Sequence, residues 1–127
     1  MNDITNIEDI KKMVDIFYDK VSKDPILSPI FDKVIAGNWD HHLEKMYRFW
    51  GSMLLEQNNY YGNPLSKHIP LNLEETHFER WLLLFTQTIH ENFHGEVANF
   101  ALMKANNIAK VFQHRISAFK DPNFRMQ

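Results

Sequence analysis

Residues 39–50 read WDHHLEKMYRFW, and this stretch begins the clearest helical pattern in the chain. Adjacent residues on an α-helix point about 100° apart, so His41 and His42 cannot both face the same way. His42 lies four residues before Met46 and seven before Phe49, and we therefore expect it to face inward. A hydrogen-bonded core histidine would fit the same pattern. The predicted helix runs from Trp39 to about position 57, with its apolar face at His42 or Leu43, Met46, Phe49 or Trp50, Met53 and Leu54.

The same spacing of three and four residues recurs in three other segments, so the sequence predicts an all-α protein. The first helix starts at a capping box over residues 5–8 and ends near Lys23. Another runs from residue 72 to about Phe93, and the last from about Glu96 to Phe119. Prolines 25 and 29 predict a packed corner of short turns with Phe31 inward. The buried stripe predicted for the last helix comprises Val97, Phe100, Ala101, Ile108, Phe112, Ile116 and Phe119.

A very short helix is predicted between Pro64 and Pro70. Proline suits a first helical position and forbids much continuation, which leaves one or two turns with Leu65 and His68 on one side. A helix of this length is not stable alone, so something else must hold it. A bond from the imidazole of His68 to a metal is one candidate. The alternative is a histidine that interacts with the last carbonyls of its own helix.

Length and composition narrow the class of protein. The 127 residues suit a single domain, residues 1–127, and 44% hydrophobic residues are ordinary for a globular protein. Ten Phe, four Tyr and three Trp are more than a plain helical bundle needs, and indicate a core around something large and flat. A net charge of −2 without a basic cluster argues against a nucleic-acid partner. The absence of cysteine excludes disulfides, thiolate zinc sites and iron–sulfur clusters. No signal peptide or membrane-spanning apolar run is visible, so we expect a cytoplasmic protein with no membrane partner.

Two copies of Glu-x-x-His, Glu74 with His77 and Glu91 with His94, suggest a second metal hypothesis. This motif is half of the ligand set of di-iron carboxylate bundles, which need the two copies on different helices. Here both fall on one predicted helix, with their histidines 17 residues apart. That separation is about 25 Å along the helix axis, too far for a shared metal pair. Ordinary surface positions are the simpler interpretation.

Taken together, five stretches in this order resemble the truncated haemoglobins, most closely their third group. The paired glycines that mark the first two groups are missing, because the four glycines of this chain all stand alone. The resemblance covers nearly the whole chain and implies a two-over-two helical sandwich around haem b, held non-covalently because cysteine is absent. The stretches are residues 17–21, 29–31, 39–42 together with 49–55, 64–68 and 78–85.

The resemblance also implies roles for individual residues. His68 would ligate the iron, His42 would take the distal-histidine position, and Tyr18 and Trp81 would donate hydrogen bonds to a bound ligand. Lys45 would reach a haem propionate, although a solvated lysine is an equal alternative. The implied cofactor contacts are Phe31, His42, Lys45, Met46, Phe49, Leu65, His68, Phe78, Trp81 and Phe85.

Three functions follow as hypotheses. The first is reversible binding of dioxygen, nitric oxide or another small diatomic ligand, as in oxygen transport. The second is a haem enzyme that detoxifies nitric oxide or peroxide, with His42 as the general acid/base and an external reductase as partner. The third is a helical interaction module without haem.

Overall fold

The structure, a computed structural model, describes residues 1–35, 37–55 and 75–120, and all regular elements in these ranges are α-helices. They are α1 (Ile7–Lys23), α2 (Ser28–Ile35), α3 (Trp39–Leu55), α4 (Glu75–Asn92) and α5 (Glu96–Lys120). The all-α prediction is confirmed. The helix predicted between Pro64 and Pro70, with Leu65 and His68, lies outside the described residues. Within the described ranges, none of the helices combines the length and apolar character that crossing a bilayer requires.

The helices form two layers. α1 packs on α3 and α4 packs on α5, while α1 also contacts α4 and α3 contacts α5. One helix pair therefore lies over the other, and the short α2 packs against α1. This arrangement is the two-over-two sandwich that the sequence predicted.

The first helix begins one residue later than its predicted capping box. Asn6 is the N-cap, and its side chain accepts a hydrogen bond from the Asp9 amide at 2.9 Å. The Asp9 carboxylate in turn accepts from the Thr5 amide at 2.9 Å. The box over residues 5–8 was therefore wrong by one position. Asparagine is as good an N-cap as threonine, and Asp9 at the third helical position takes the part expected of Glu8.

The corner after α1 is a turn over residues 25–27 that leads into a helix, α2, whereas the prolines predicted short turns throughout. The Asp24 carboxylate accepts hydrogen bonds from the amides of Ile26 at 3.0 Å and Leu27 at 2.9 Å, which starts the turn. Pro29 then falls in the first turn of α2, where a missing amide costs no intrahelical hydrogen bond. Phe31 on this helix is 6% exposed, as predicted.

The buried face of α5 is a stripe of alanines, so the predicted stripe of large residues was partly wrong. Phe100 is exposed, whereas Val97, Ile108 and Phe112 are half-buried. The side chains of Ile116 and Phe119 lie outside the described residues. Small side chains let α5 approach its neighbours closely, which explains why they occupy the contact face. The buried alanines are Ala98, Ala101, Ala105 and Ala109.

Candidate functional site

A cleft opens between the two layers at the end that carries the α1–α2 corner. It contains about 610 Å³ of space not filled by atoms, part of which is open solvent. Aromatic and aliphatic side chains form most of its walls, which is typical of sites for flat apolar ligands. The lining residues are Tyr18, Leu27, Phe31, Met46, Phe49, Trp50, His77, Phe78, Trp81, Ile108, Ala109 and Phe112.

The cleft brings together six residues that the family resemblance singled out from four separate helices. They come from α1, α2, α3 and α4, so the tertiary fold alone makes them neighbours. Leu65 and His68 belong to the same predicted set but lie outside the described residues. The six are Tyr18, Phe31, Met46, Phe49, Phe78 and Trp81.

Three other predicted contacts occupy positions around the cleft rather than in its walls. Phe85 is fully buried and stacks on Trp50 at 4.9 Å and on Trp81 at 5.8 Å between ring centroids. It therefore supports two residues of the cleft wall from behind. Lys45 and His42, both on α3, are half-buried. Lys45 precedes the lining residue Met46 in the chain, and the ring of His42 contacts Tyr18.

Tyr18 is held at the top of the cleft by rings on several sides. Its side chain is 5% exposed. Its ring meets Phe17 edge-on at 4.9 Å and Phe31 at 6.2 Å between centroids. The His42 ring lies 4.9 Å away at 89°, and the Nε2 atom of His42 is buried. The arrangement places a phenol and an imidazole side by side at one wall of the cleft.

Trp81, on the opposite layer, is also held by ring contacts. Its indole stacks on Phe85 and meets Phe17 edge-on at 5.5 Å. Edge-on and offset contacts of this kind are favourable for aromatic pairs and fix ring orientation. Tyr18 and Trp81 are therefore two potential hydrogen-bond donors with defined orientations in one apolar cleft.

Sequence reasoning missed several lining residues, of which His77 is the most polar. It was interpreted only as part of Glu-x-x-His, and Glu74 of that motif lies outside the described residues. His77 stands four residues before Trp81, so the shared helix face was a signal that could have identified it. Among the described residues, no three His, Asp or Glu side chains gather into a metal site. The other missed residues are Leu27, Trp50, Ile108, Ala109 and Phe112.

A partly buried ion pair lies behind the cleft. The Asp24 side chain is 2% exposed and that of Arg80 is 35% exposed. The Asp24 carboxylate accepts a hydrogen bond from Arg80 Nε at 2.5 Å. Burial alone would raise the pKa of Asp24, but the hydrogen bond from Arg80 and those from the Leu27 and Ile26 amides outweigh it. The pKa of Asp24 therefore lies below its ordinary value of 3.8.

Tyr47 marks a different place, a surface groove between α1 and α3 that also involves Lys11 and Arg48. Its hydroxyl donates a hydrogen bond to Asp15. Burial, together with the hydrogen bond and negative charge of Asp15, raises the pKa of Tyr47 to about 12. Tyr47 therefore stays protonated at neutral pH and is separate from the cleft.

The helical sandwich and its apolar cleft define a globin. The family model described as "Bacterial-like globin" matches residues 2–115, and the chain therefore belongs to this family. It is 39% identical over 115 residues to the group 3 truncated hemoglobin ctb of Campylobacter jejuni, an alignment that covers 87% of this chain and 91% of the relative.

Comparison with a solved structure gives the same family. The crystal structure of a group III truncated hemoglobin from Campylobacter jejuni superposes with a TM-score of 0.84 at 39% identity, covering 91% of this chain and 95% of that one. The predicted resemblance to the third group of truncated haemoglobins is thereby confirmed.

As a member of this family the chain is a haem-binding globin. The residues present fit that cofactor. The walls of the cleft are mostly apolar rings, which suit the faces of a porphyrin, while Tyr18, His77 and Trp81 provide a few polar groups for orientation.

Proposed function

We propose that the chain binds dioxygen, or another small diatomic ligand, at haem b in this cleft, with His68 as the protein ligand of the iron. The observation that supports the proposal is that Tyr18 and Trp81, from opposite layers, line the same apolar cleft. The assignment of His68 rests on its sequence context, since this residue lies outside the described ranges. Histidine is the usual proximal ligand of haem iron in globins.

The apolar walls would hold the porphyrin. Phe31, Met46, Phe49 and Phe78 line the cleft, and Leu65 would add a further contact from the proximal segment. Lys45 would pair with a haem propionate, because it is a half-buried cation on α3 next to the lining residue Met46. When bound, the haem supplies an iron with a coordination position open to a diatomic ligand.

Tyr18 and Trp81 would stabilise that ligand by donating hydrogen bonds. A hydrogen bond in a site shielded from water is electrostatically stronger than one in water. Donors held in place beforehand also need no reorganisation when the ligand arrives. The ring contacts of Tyr18 with Phe17 and of Trp81 with Phe85 provide this pre-orientation.

The Tyr18→Phe variant tests the donor role. A hydrogen bond to a partly charged acceptor contributes about 1.5–3 kcal/mol, so dioxygen should leave the ferrous protein about ten times faster or more. Stopped-flow dissociation rates measure the effect. Tyr47→Phe is the matched control, because it removes a tyrosine hydroxyl outside the cleft, and its rate should equal that of the wild type. An unchanged rate in Tyr18→Phe would show that Tyr18 is not a donor.

The position of His42 supports a second candidate, a haem enzyme that detoxifies nitric oxide or peroxide. Its ring lies beside Tyr18 with Nε2 buried, where an imidazole could move a proton as a general acid/base. Such an enzyme would need an external reductase, since the sequence has no flavin or nicotinamide motif. Turnover of nitric oxide or peroxide with a reductant, compared between wild type and His42→Ala, separates this candidate from simple binding.

A further inference from the structure

The buried carboxylate of Asp24 ties together two segments that are 56 positions apart in the chain. It accepts hydrogen bonds from the amides of Ile26 and Leu27 on one side and from Arg80 Nε on the other. Asp24 belongs to the α1–α2 corner, and Arg80 belongs to α4. One side chain therefore connects these two segments by hydrogen bonds.

Both segments lead directly into the cleft. The Leu27 carbonyl accepts a hydrogen bond from the Phe31 amide at 3.1 Å, and both side chains line the cleft. On the other side, Arg80 immediately precedes Trp81 and follows His77 by three residues. Neither Asp24 nor Arg80 is among the lining residues, so any effect of the pair on the cleft is indirect.

We propose that the Asp24–Arg80 ion pair is a positioning pair that sets the separation between the α1–α2 corner and α4, and with it the placement of Trp81 opposite Tyr18. The proposal rests on the proposed function, because the role of Trp81 toward a ligand belongs to that function. Breaking the pair leaves a charge buried without its partner, which is strongly unfavourable. The corner then moves so that water reaches Asp24, and the cleft wall moves with it.

A second ion pair, which joins α1 itself to α4, supplies the control. Lys20 on α1 and Glu91 on α4 lie 2.9 Å apart, with side chains 28% and 58% exposed. Neither residue lines the cleft. Loss of this pair removes a contact between α1 and α4 without disturbing the corner that carries Leu27 and Phe31.

The experiment compares Arg80→Met, Arg80→Lys and Lys20→Met. In the haem-loaded ferrous protein, it records the C–O stretching frequency of the carbon monoxide complex and the dioxygen dissociation rate. In the protein without haem, it records the ¹H–¹⁵N signal of the Trp81 indole, assigned with Trp81→Phe. The melting temperature of each variant is measured alongside, to separate positioning from stability.

We expect Arg80→Met to shift the C–O band, to move the Trp81 indole signal, and to change the dissociation rate about threefold or more, the size of a remote coupling effect. Arg80→Lys keeps the charge and should restore part of each change. Lys20→Met should behave as the wild type in all three readouts.

Two outcomes would overturn the proposal. One is an Arg80→Met variant that melts earlier but keeps the wild-type C–O band, dissociation rate and indole signal. The other is an equal response in Lys20→Met. If Arg80→Met does not fold, the same readouts in Asp24→Asn decide, and a wild-type indole signal in that variant contradicts positioning. Failure of the wild type to bind haem would refute the proposed function, while the indole signal in the haem-free protein would still test the pair.

Discussion

Two layers of aromatic side chains, one in the cleft walls and one behind them, serve different purposes. Behind the walls, Phe17 and Phe85 are fully buried and pack against each other at 5.3 Å between centroids. In the walls, Phe49, Trp81 and Phe112 are half-buried and border open space. The difference teaches that aromatic content alone does not distinguish a protein core from a ligand site, and that a position beside open space does.

α5 shows how the chain makes this difference. Its alanines, such as Ala98 and Ala105, let the layers close where nothing is to be bound. Further along the same helix, Ile108 and Phe112 line the cleft. A single helix thus passes from a stripe of small residues at a tight contact to larger residues beside a cavity.

The largest expected effect distinguishes the supporting rings from the wall rings by stability. Phe85→Ala removes a fully buried ring behind the cleft wall and should lower the free energy of unfolding by about 3–5 kcal/mol. Phe112→Ala removes a ring that is already half-buried beside a cavity. It should cost the haem-free protein no more than about 1 kcal/mol while weakening haem retention. Urea unfolding and the rate of haem transfer to an acceptor globin measure the two quantities.

Phe112→Ala is also the control for the size of the ring removed, because the two changes delete the same atoms. Equal destabilisation by both variants would contradict the distinction between the packed rings behind the cleft and the rings of its walls. A haem-transfer rate in Phe112→Ala equal to that of the wild type would remove this residue from the cofactor site.

A smaller effect concerns pH and the Asp24–Arg80 pair that links the two segments of the cleft. The pKa of Asp24 is lower in the folded protein than its ordinary 3.8. A group with a lowered folded pKa contributes stability that is fully present above the ordinary value and is lost as the pH falls toward the folded value. Asp24→Asn should therefore lower stability by about 1–3 kcal/mol at pH 7, and the gap from the wild type should narrow below pH 4 or so.

Urea unfolding of both proteins between neutral and acidic pH checks this prediction. Asparagine keeps one oxygen that can accept from the Ile26 and Leu27 amides, but its amide nitrogen replaces the oxygen that accepts from Arg80. The comparison therefore measures the loss of the charge together with the hydrogen bond from Arg80. A gap that stayed constant down to the acid transition would mean that ionisation of Asp24 contributes nothing.

Most of the fold could be predicted from the sequence because four helices have strong apolar periodicity. The exceptions have local causes. Alanine contributes little to a hydrophobic pattern, so the sequence analysis wrongly placed the larger Phe100 on the buried face of α5. The two prolines predicted short turns. In the structure, the Asp24 side chain accepts hydrogen bonds from the Ile26 and Leu27 amides, and the chain then continues into α2.

The candidate site was only partly predictable. The resemblance identified Tyr18, Phe31 and Trp81, because their motifs occur in order along the chain. It did not identify Phe112, because whether an apolar helix position faces a core or a cavity depends on the opposite layer. Arg80 was missed for a similar reason, since its partner Asp24 lies far away in the chain.

The most direct test of the account is the iron–histidine stretching band in the resonance Raman spectrum of the ferrous, haem-loaded protein. We predict that the wild type shows this band, that His68→Gly lacks it, and that added imidazole restores it to the variant. A His68→Gly spectrum that keeps the wild-type band would contradict His68 as the iron ligand, and a wild-type protein that takes up no haem would contradict the cleft as its site.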